Sequence, residues 1–381
     1  MLNFRLMSCL LLLLPLSRAA DNAQAVNLFP GAGEDPRRAA RVAFELQAET
    51  AAPPALLPNG WQKKVPLPPP AEITRLPHPA PNGEYVAVSP HYVITCPMRL
   101  DDAALHRVVD VMETTHAVNR ALTAVLPVRR MQQHPKKILK MHIRLVPTLE
   151  DYLKNGGVPG SAGVYQSSRL VYPDRGTPPQ DQPCTEETLT RDTVLVTFPA
   201  LGLRPDGSLS NEPVNTQLLM HEGTHQCFIY NNLPIWSNEG WAEYISAAPH
   251  ADGFVDFEKG FSLISARARR SASIGRLECP FSLGEFFSMS KERMYALGLH
   301  TTTSVDTYAL SAMLIAFFLH MDGERGLAAM RAYLQARVDC LPNTKAQELL
   351  SAPYGGSELL QEAFVKAWQD RGINLKLQIQ K

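Results

Sequence analysis

The sequence predicts an α+β fold, with a mixed α/β lobe over residues 85–200 followed by a mainly helical lobe over 201–381. Three observations lead there. Between Tyr85 and Phe198, runs of strand-like alternation are interleaved with one long helical stripe. Beyond about residue 200, apolar positions recur mostly at helical spacing. Hydrophobic residues make up 45% of 381 residues, enough for one substantial core or two modest ones. Only 19% are charged and 31 are proline, which points to a surface rich in loops.

The first twenty residues read as an export signal. Arg5 precedes an apolar run centred on Leu10 to Leu14, and Ser17-Arg18-Ala19 or Ala20 supplies small residues for cleavage. The run is too short for a stable membrane span. Cys9 precedes the apolar centre, the wrong order for a lipid-attachment box. The expected location is therefore secreted or periplasmic. Lys plus Arg equals Asp plus Glu at 37 each, so no field favours nucleic acid or an acidic membrane. The densest basic cluster, Arg267, Arg269 and Arg270, reads as the solvated end of a helix. Without Cys9 five cysteines remain: Cys96, Cys184, Cys227, Cys279 and Cys340. An odd count allows at most two intramolecular disulfides, and no pair has CxxC spacing.

Residues 21–84 are Ala- and Pro-rich, most visibly at Pro66-Leu67-Pro68-Pro69-Pro70, and read as an extended lead-in with a short helix over Pro36 to Gln47. Tyr85 to Val88 and Tyr92 to Thr95 are expected strands. Asp101 or Asp102 caps a helix to about Leu126, with Leu105, Val108, Val109, Met112 and Val118 as its apolar stripe. Ile138 to Val146 alternates as a strand, with Met141, Ile143 and Leu145 on one face. A short helix is expected over Asp151 to Lys154, a hairpin from Ala162–Tyr165 and Leu170–Tyr172, and a strand over Thr193 to Phe198. Helices follow at 216–230, 237–246, 255–270, 282–296, 305–320, 326–338 and 357–370, with Ser282 and Glu285 forming a capping box. The change near residue 200 reads as two lobes facing each other, not as separable domains.

The chemistry is carried by His221-Glu222-Gly223-Thr224-His225, an HExxH run inside the amphipathic stretch Leu218, Leu219, Cys227 and Phe228. A four-residue step on a helix puts both imidazoles on one face, within reach of one ion. Glu222 follows His221 and can meet water beside a metal. Zinc lowers the pKa of such water, and a carboxylate can take its proton as it attacks a carbonyl. A metzincin pattern needs Gly and His where this chain has Phe228 and Asn231, so that subclass is rejected. Downstream, Asn238-Glu239-Gly240-Trp241-Ala242-Glu243 places two carboxylates one turn apart on a second helix, after a break at Leu233-Pro234. Glu239 can complete a His/His/Glu set with water in the fourth position, and Glu243 can accept a hydrogen bond from a ligand imidazole.

These two motifs resemble the HExxH plus NExxx(D/E) pattern of thermolysin-like gluzincin zinc metallopeptidases. The resemblance implies a zincin-like fold, zinc held by His221, His225 and Glu239, Glu222 as catalytic base, and Glu243 orienting His221. The usual linker is longer than the thirteen residues 226–238 found here. The likeness is therefore closer to compact, secreted or membrane-associated MA-like families than to thermolysin itself. Diagnostic matches cover about 30 residues, and a looser architectural likeness covers about 85–370.

The function expected is hydrolysis of a peptide or protein substrate by zinc-activated water. A zinc amidase on a non-protein amide, or a non-catalytic binding protein of gluzincin fold, are the alternatives. Glu222 weighs against the latter, because a structural zinc needs no base. Tyr308 is the candidate donor to the developing oxyanion, with Tyr244, His250 and His300 competing for that role. Trp236 and Trp241 are expected to pack the lobes together.

Overall fold

Strands begin before the Tyr85 boundary. The computed structural model describes residues 64–127, 140–170, 188–210, 216–228, 233–251, 253–299 and 305–378. The export signal, the Pro36 to Gln47 helix, Cys184 and His300 lie outside these residues. Two strands come from the Pro-rich lead-in, β1 (Lys64–Pro66) and β2 (Thr74–Arg75). Then follow β3 (Tyr85–Val88), β4 (Tyr92–Cys96), α1 (Asp102–Val125), β5 (Met141–Val146), α2 (Leu149–Lys154), β6 (Gly163–Leu170) and β7 (Thr188–Thr197).

Six of these strands form one mixed sheet in the order β2-β3-β4-β5-β7-β6. The inner strands β4, β5 and β7 run parallel, while β2, β3 and the edge strand β6 pair antiparallel to their neighbours. Alternation along β5 works as the sequence implied. Met141, Ile143 and Leu145 enter the main core, while Val146 joins Leu195 and Tyr152 of α2 in a separate cluster. Asp101 caps α1 by accepting from the Ala104 amide at 2.6 Å, and all five expected stripe residues are buried. Leu126 then turns extended ahead of Pro127, which stops the helix.

The expected hairpin at 162–172 is corrected. Gly163 to Leu170 is one continuous strand paired with β7, which starts five residues before the expected Thr193. The sequence reading fails because the polar residues Gln166, Ser167 and Ser168 look like a turn, yet among the described residues β6 is the edge strand of the sheet, paired on one side only.

The helical half comprises α3 (Thr216–Phe228), α4 (Ile235–Ser246), the short β8 (His250–Ala251) and β9 (Phe254–Asp256), and α5 (Phe257–Ser273). Next come β10 (Glu278–Cys279), α6 (Leu283–Phe287), α7 (Lys291–Leu299) and α8 (Thr307–Ala316), which runs on into a π turn at Phe317–Met321. The chain ends with α9 (Gly323–Val338), α10 (Asn343–Ser351), α11 (Ser357–Gln369) and β11 (Lys376–Leu377). Ser282 and Glu285 form the expected capping box, but the helix over 282–296 is broken. It stops at Ser288, and Ser290 Oγ accepts the Arg293 amide at 3.2 Å to start α7. The helix α10 was not expected from the sequence.

The two halves share one core. Ile143 of the sheet, Leu219 of α3, Trp236 of α4 and Trp368 of α11 belong to a single buried cluster. The lead-in is stitched to the helical half as well, through antiparallel pairing of β1 with β9. Cys96, Cys227 and Cys279 are free thiols, and Cys340 is disulfide-bonded. Among the described residues, no helix is long and apolar enough to cross a membrane.

Candidate metal centre

The helix α3 carries His221 and His225 on one face, and glycines let its neighbours close around it. A Cβ at Gly223 would stand 3.0 Å from Met112 Cε and 3.1 Å from Thr115 Cγ2, so α3 sits directly on α1. A Cβ at Gly163 would stand 3.1 Å from the Leu218 side chain, so β6 lies close along the same helix. Pro234 opens α4, its carbonyl accepting the amides of Ser237 and Asn238, and α4 packs on both α3 and α8. Its contact with α8 is tight, since a Cβ at Gly240 would approach the Ser311 carbonyl oxygen to 2.9 Å.

This packing brings His221, His225 and Glu239 together. His221 Nε2 and His225 Nε2 are 3.1 Å apart, and each faces Glu239 Oε2, at 3.3 and 3.4 Å. Donors about 2.1 Å from a tetrahedral zinc are separated by roughly 3.4 Å, so the triangle matches the edges of one coordination sphere. The donor chemistry, two imidazoles and a carboxylate, suits zinc. Burial would raise the Glu239 pKa, but His225 and His221 overcome it and hold the carboxylate well below its usual range. Burial would lower the His221 pKa, yet Glu239 and Glu243 reverse it and drive it well above its ordinary value. A positive charge between these carboxylates is therefore strongly favoured, whether a proton or a metal supplies it.

Around the triangle, Glu243 Oε1 faces His221 Nδ1 at 3.4 Å, on the side away from the shared centre. His225 Nδ1, by contrast, is buried with no hydrogen-bond partner. Glu222 is buried, and its Oε2 accepts the main-chain amide of Tyr165 on β6 at 2.7 Å. Tyr308 lies with its ring centroid 6.5 Å from that of His221 and stacks parallel to Tyr295 at 6.4 Å. Tyr295 Oη donates to Glu239 Oε1 at 3.4 Å. Burial first, then the charge of Glu239, pushes both phenols far above their ordinary pKa, so they remain proton donors.

A second His/Glu cluster makes an instructive contrast. His91, Glu113 and His116 also place ligand-type atoms within 4.8 Å of one another. Here, however, His91 Nδ1 and Glu113 Oε2 are 2.6 Å apart, a direct hydrogen bond. Glu113 Oε1 is taken by Ser89 Oγ at 2.6 Å and the His91 amide at 2.9 Å. The two imidazoles stack with centroids 3.7 Å apart and planes 22° from parallel, so their in-plane lone pairs do not converge. That cluster has closed on itself, whereas the His221 triangle has not.

The other expectations sort clearly. Tyr244 is hydrogen-bonded to His320 at 2.7 Å, and His250 Nε2 lies 3.0 Å from Met220 Sδ. Trp236 packs on Phe287 and Tyr333, and Trp241 stacks on Phe228. The reading of Arg267 as solvated surface is corrected: its guanidinium pairs with both Glu243 and Asp306. Sequence reasoning also passed over Tyr295. Its only signal was an aromatic residue on the helix before α8, too common a pattern to select it. No family model matches the chain, and no curated protein was found to be similar to it.

Proposed function

We propose that this protein is a secreted or periplasmic zinc-dependent metallopeptidase with a zincin-like, gluzincin-type centre. The observation that carries the reading is the triangle of His221 and His225 on α3 with Glu239 on α4, and Glu222 standing between the two histidines in sequence. When bound, zinc would supply a polarising charge and lower the pKa of adjacent water. His221 and His225 would hold it through Nε2 and Glu239 through Oε2.

The remaining work belongs to the chain's own groups. Glu222 has one oxygen fixed by the Tyr165 amide, leaving Oε1 to take a proton from the attacking water and pass it to the leaving amine. Tyr308, with Tyr295 stacked beside it, offers a protonated phenol to the negative charge that develops on the substrate oxygen. The edge strand β6 runs along α3, no strand among the described residues pairs with its outer side, and an extended peptide can add to such an edge. That feature favours peptide over a compact non-protein amide.

Glu222→Gln provides the test. The variant should retain zinc like the parent, while cleavage of a mixed peptide library falls by orders of magnitude. Near-parental turnover would move the base elsewhere, and a parent without zinc would remove the centre altogether.

A further inference from the structure

We propose that Arg267 is a positioning residue that couples the orientation of His221 to the placement of Tyr308, an inference that rests on the zinc reading above. Arg267 projects from α5, an element that contributes none of the putting-together of the triangle itself. Its Nη1 is paired with Glu243 Oε2, while Glu243 Oε1 faces His221 Nδ1. Its other side grips Asp306: Nη2 lies 2.9 Å from Oδ1 and Nε lies 3.4 Å from Oδ2. Asp306 is the N-cap of α8, where Oδ1 also accepts the Ala309 amide at 3.0 Å and Oδ2 accepts Ser271 Oγ at 2.7 Å. Tyr308 stands two residues farther along, on the first turn of that helix.

One guanidinium thus joins two carboxylates with different tasks. The Glu243 carboxylate has one oxygen for the imidazole and one for the cation, so its plane is fixed by both. A ligand imidazole held through its far nitrogen is constrained in ring angle and tautomer. The Asp306 carboxylate is similarly divided between a helix cap and the same cation, which fixes where α8 begins. Because arginine presents donors in a rigid planar fork, the two carboxylates are set relative to each other. Lysine, with a single ammonium, can neutralise the pair but cannot impose that geometry.

The geometry also explains why the two acids tolerate burial. Glu243 and Asp306 are kept ionised against the penalty of burial chiefly by Arg267. Removing the cation would leave two partly buried carboxylates without their shared counter-charge, and Glu243 would lose the partner that fixes its second oxygen.

The test compares the parent with Arg267→Ala, Arg267→Lys and Asp306→Asn, each as full-length protein. Zinc affinity is measured by chelator competition, and the visible spectrum is recorded after loading cobalt in place of zinc. Thermal unfolding without metal reports simple structural damage. Arg267→Ala should weaken zinc binding about tenfold or more, the usual scale for loss of an outer partner of a ligand histidine. Its cobalt bands should shift as the ligand angle relaxes. Asp306→Asn keeps the cap acceptor and should shift the bands in the same sense, and adding it to Arg267→Ala should cost little more, since the two act as one unit. Arg267→Lys should recover zinc affinity in part but not the parental spectrum. Unchanged affinity and spectrum in Arg267→Ala, with only a lower melting temperature, would overturn the coupling while leaving the zinc reading intact. A parent that binds neither zinc nor cobalt overturns both. Should Arg267→Ala fail to fold, Asp306→Asn and Arg267→Lys decide by the same spectrum.

Discussion

His225 Nε2 stands 3.1 Å from His221 Nε2, with the same oxygen of Glu239 facing both. Two imidazoles cannot both point protons at that gap without repelling, so the arrangement calls for a shared cation or for one proton between them. Purified protein should therefore hold about one tightly bound zinc per chain, the number expected of a single three-ligand site. His225→Ala should lose most of it on dialysis. Elemental analysis of parent and variant decides the matter, and a folded parent without zinc would reject the site.

Glu239 and Glu243 lie one turn apart on α4 but face opposite nitrogens of His221. Glu239→Gln replaces an anionic donor by a weak neutral one and should abolish both tight zinc binding and activity. Glu243→Gln still offers an amide oxygen to Nδ1, so zinc should stay, with affinity or rate reduced roughly 10–100-fold. Zinc titration of both variants separates the roles, and the reverse order of effects would exchange them.

The stacked phenols should also separate. Tyr308→Phe should lower kcat by about 10²-fold with little change in zinc content, the scale for losing one donor to an oxyanion. Tyr295→Phe removes the phenol that reaches the far oxygen of Glu239, so its main effect should be weaker zinc retention. Steady-state kinetics beside metal analysis provides the comparison. Loss of kcat in Tyr295→Phe alone would assign the donor role to Tyr295.

Away from the centre, His116 makes the fold sensitive to acid. Burial, then the neighbouring His91, lowers its pKa to about 3. The unfolded chain, with an ordinary histidine pKa near ~6.5, takes up this proton first as pH falls. The contribution is therefore complete above about pH 6.5 and is lost progressively down towards pH 3. By pH 5 the loss amounts to about 2 kcal/mol. His116→Phe keeps a ring against His91 and should lose less stability by about that amount between pH 7.5 and pH 5. Denaturant titrations at the two pH values provide the check, and equal losses would mean that His116 is not held neutral.

Much of the centre could be read from the sequence because its spacing is local. His221 to His225 is one helical turn, as is Glu239 to Glu243, and a proline marks the break between them. The stripe of α1 and the alternation of β5 were legible for the same reason: each is a repeat within one element. What escaped was non-local. The role of Arg267 depends on α5 meeting both α4 and α8, and nothing near residue 267 records that meeting. The polar stretch of β6 hid a strand, because an edge does not need two apolar faces. Leu277 and Phe281 accept hydrogen bonds from the chain's last described residues, Lys376 and Gln378, closing a contact that no window of sequence contains.

The anchor of Glu222 is a main-chain amide, so this bond does not depend on which side chain stands at position 165. Any side chain can replace the tyrosine without deleting the donor, except one. Proline alone lacks the N–H, and an outward-facing position on an edge strand is where a sheet can accept it. A single imino acid could thus unfasten the carboxylate while sparing the ladder behind it, so random mutation would almost never reach this bond through the residue that supplies it.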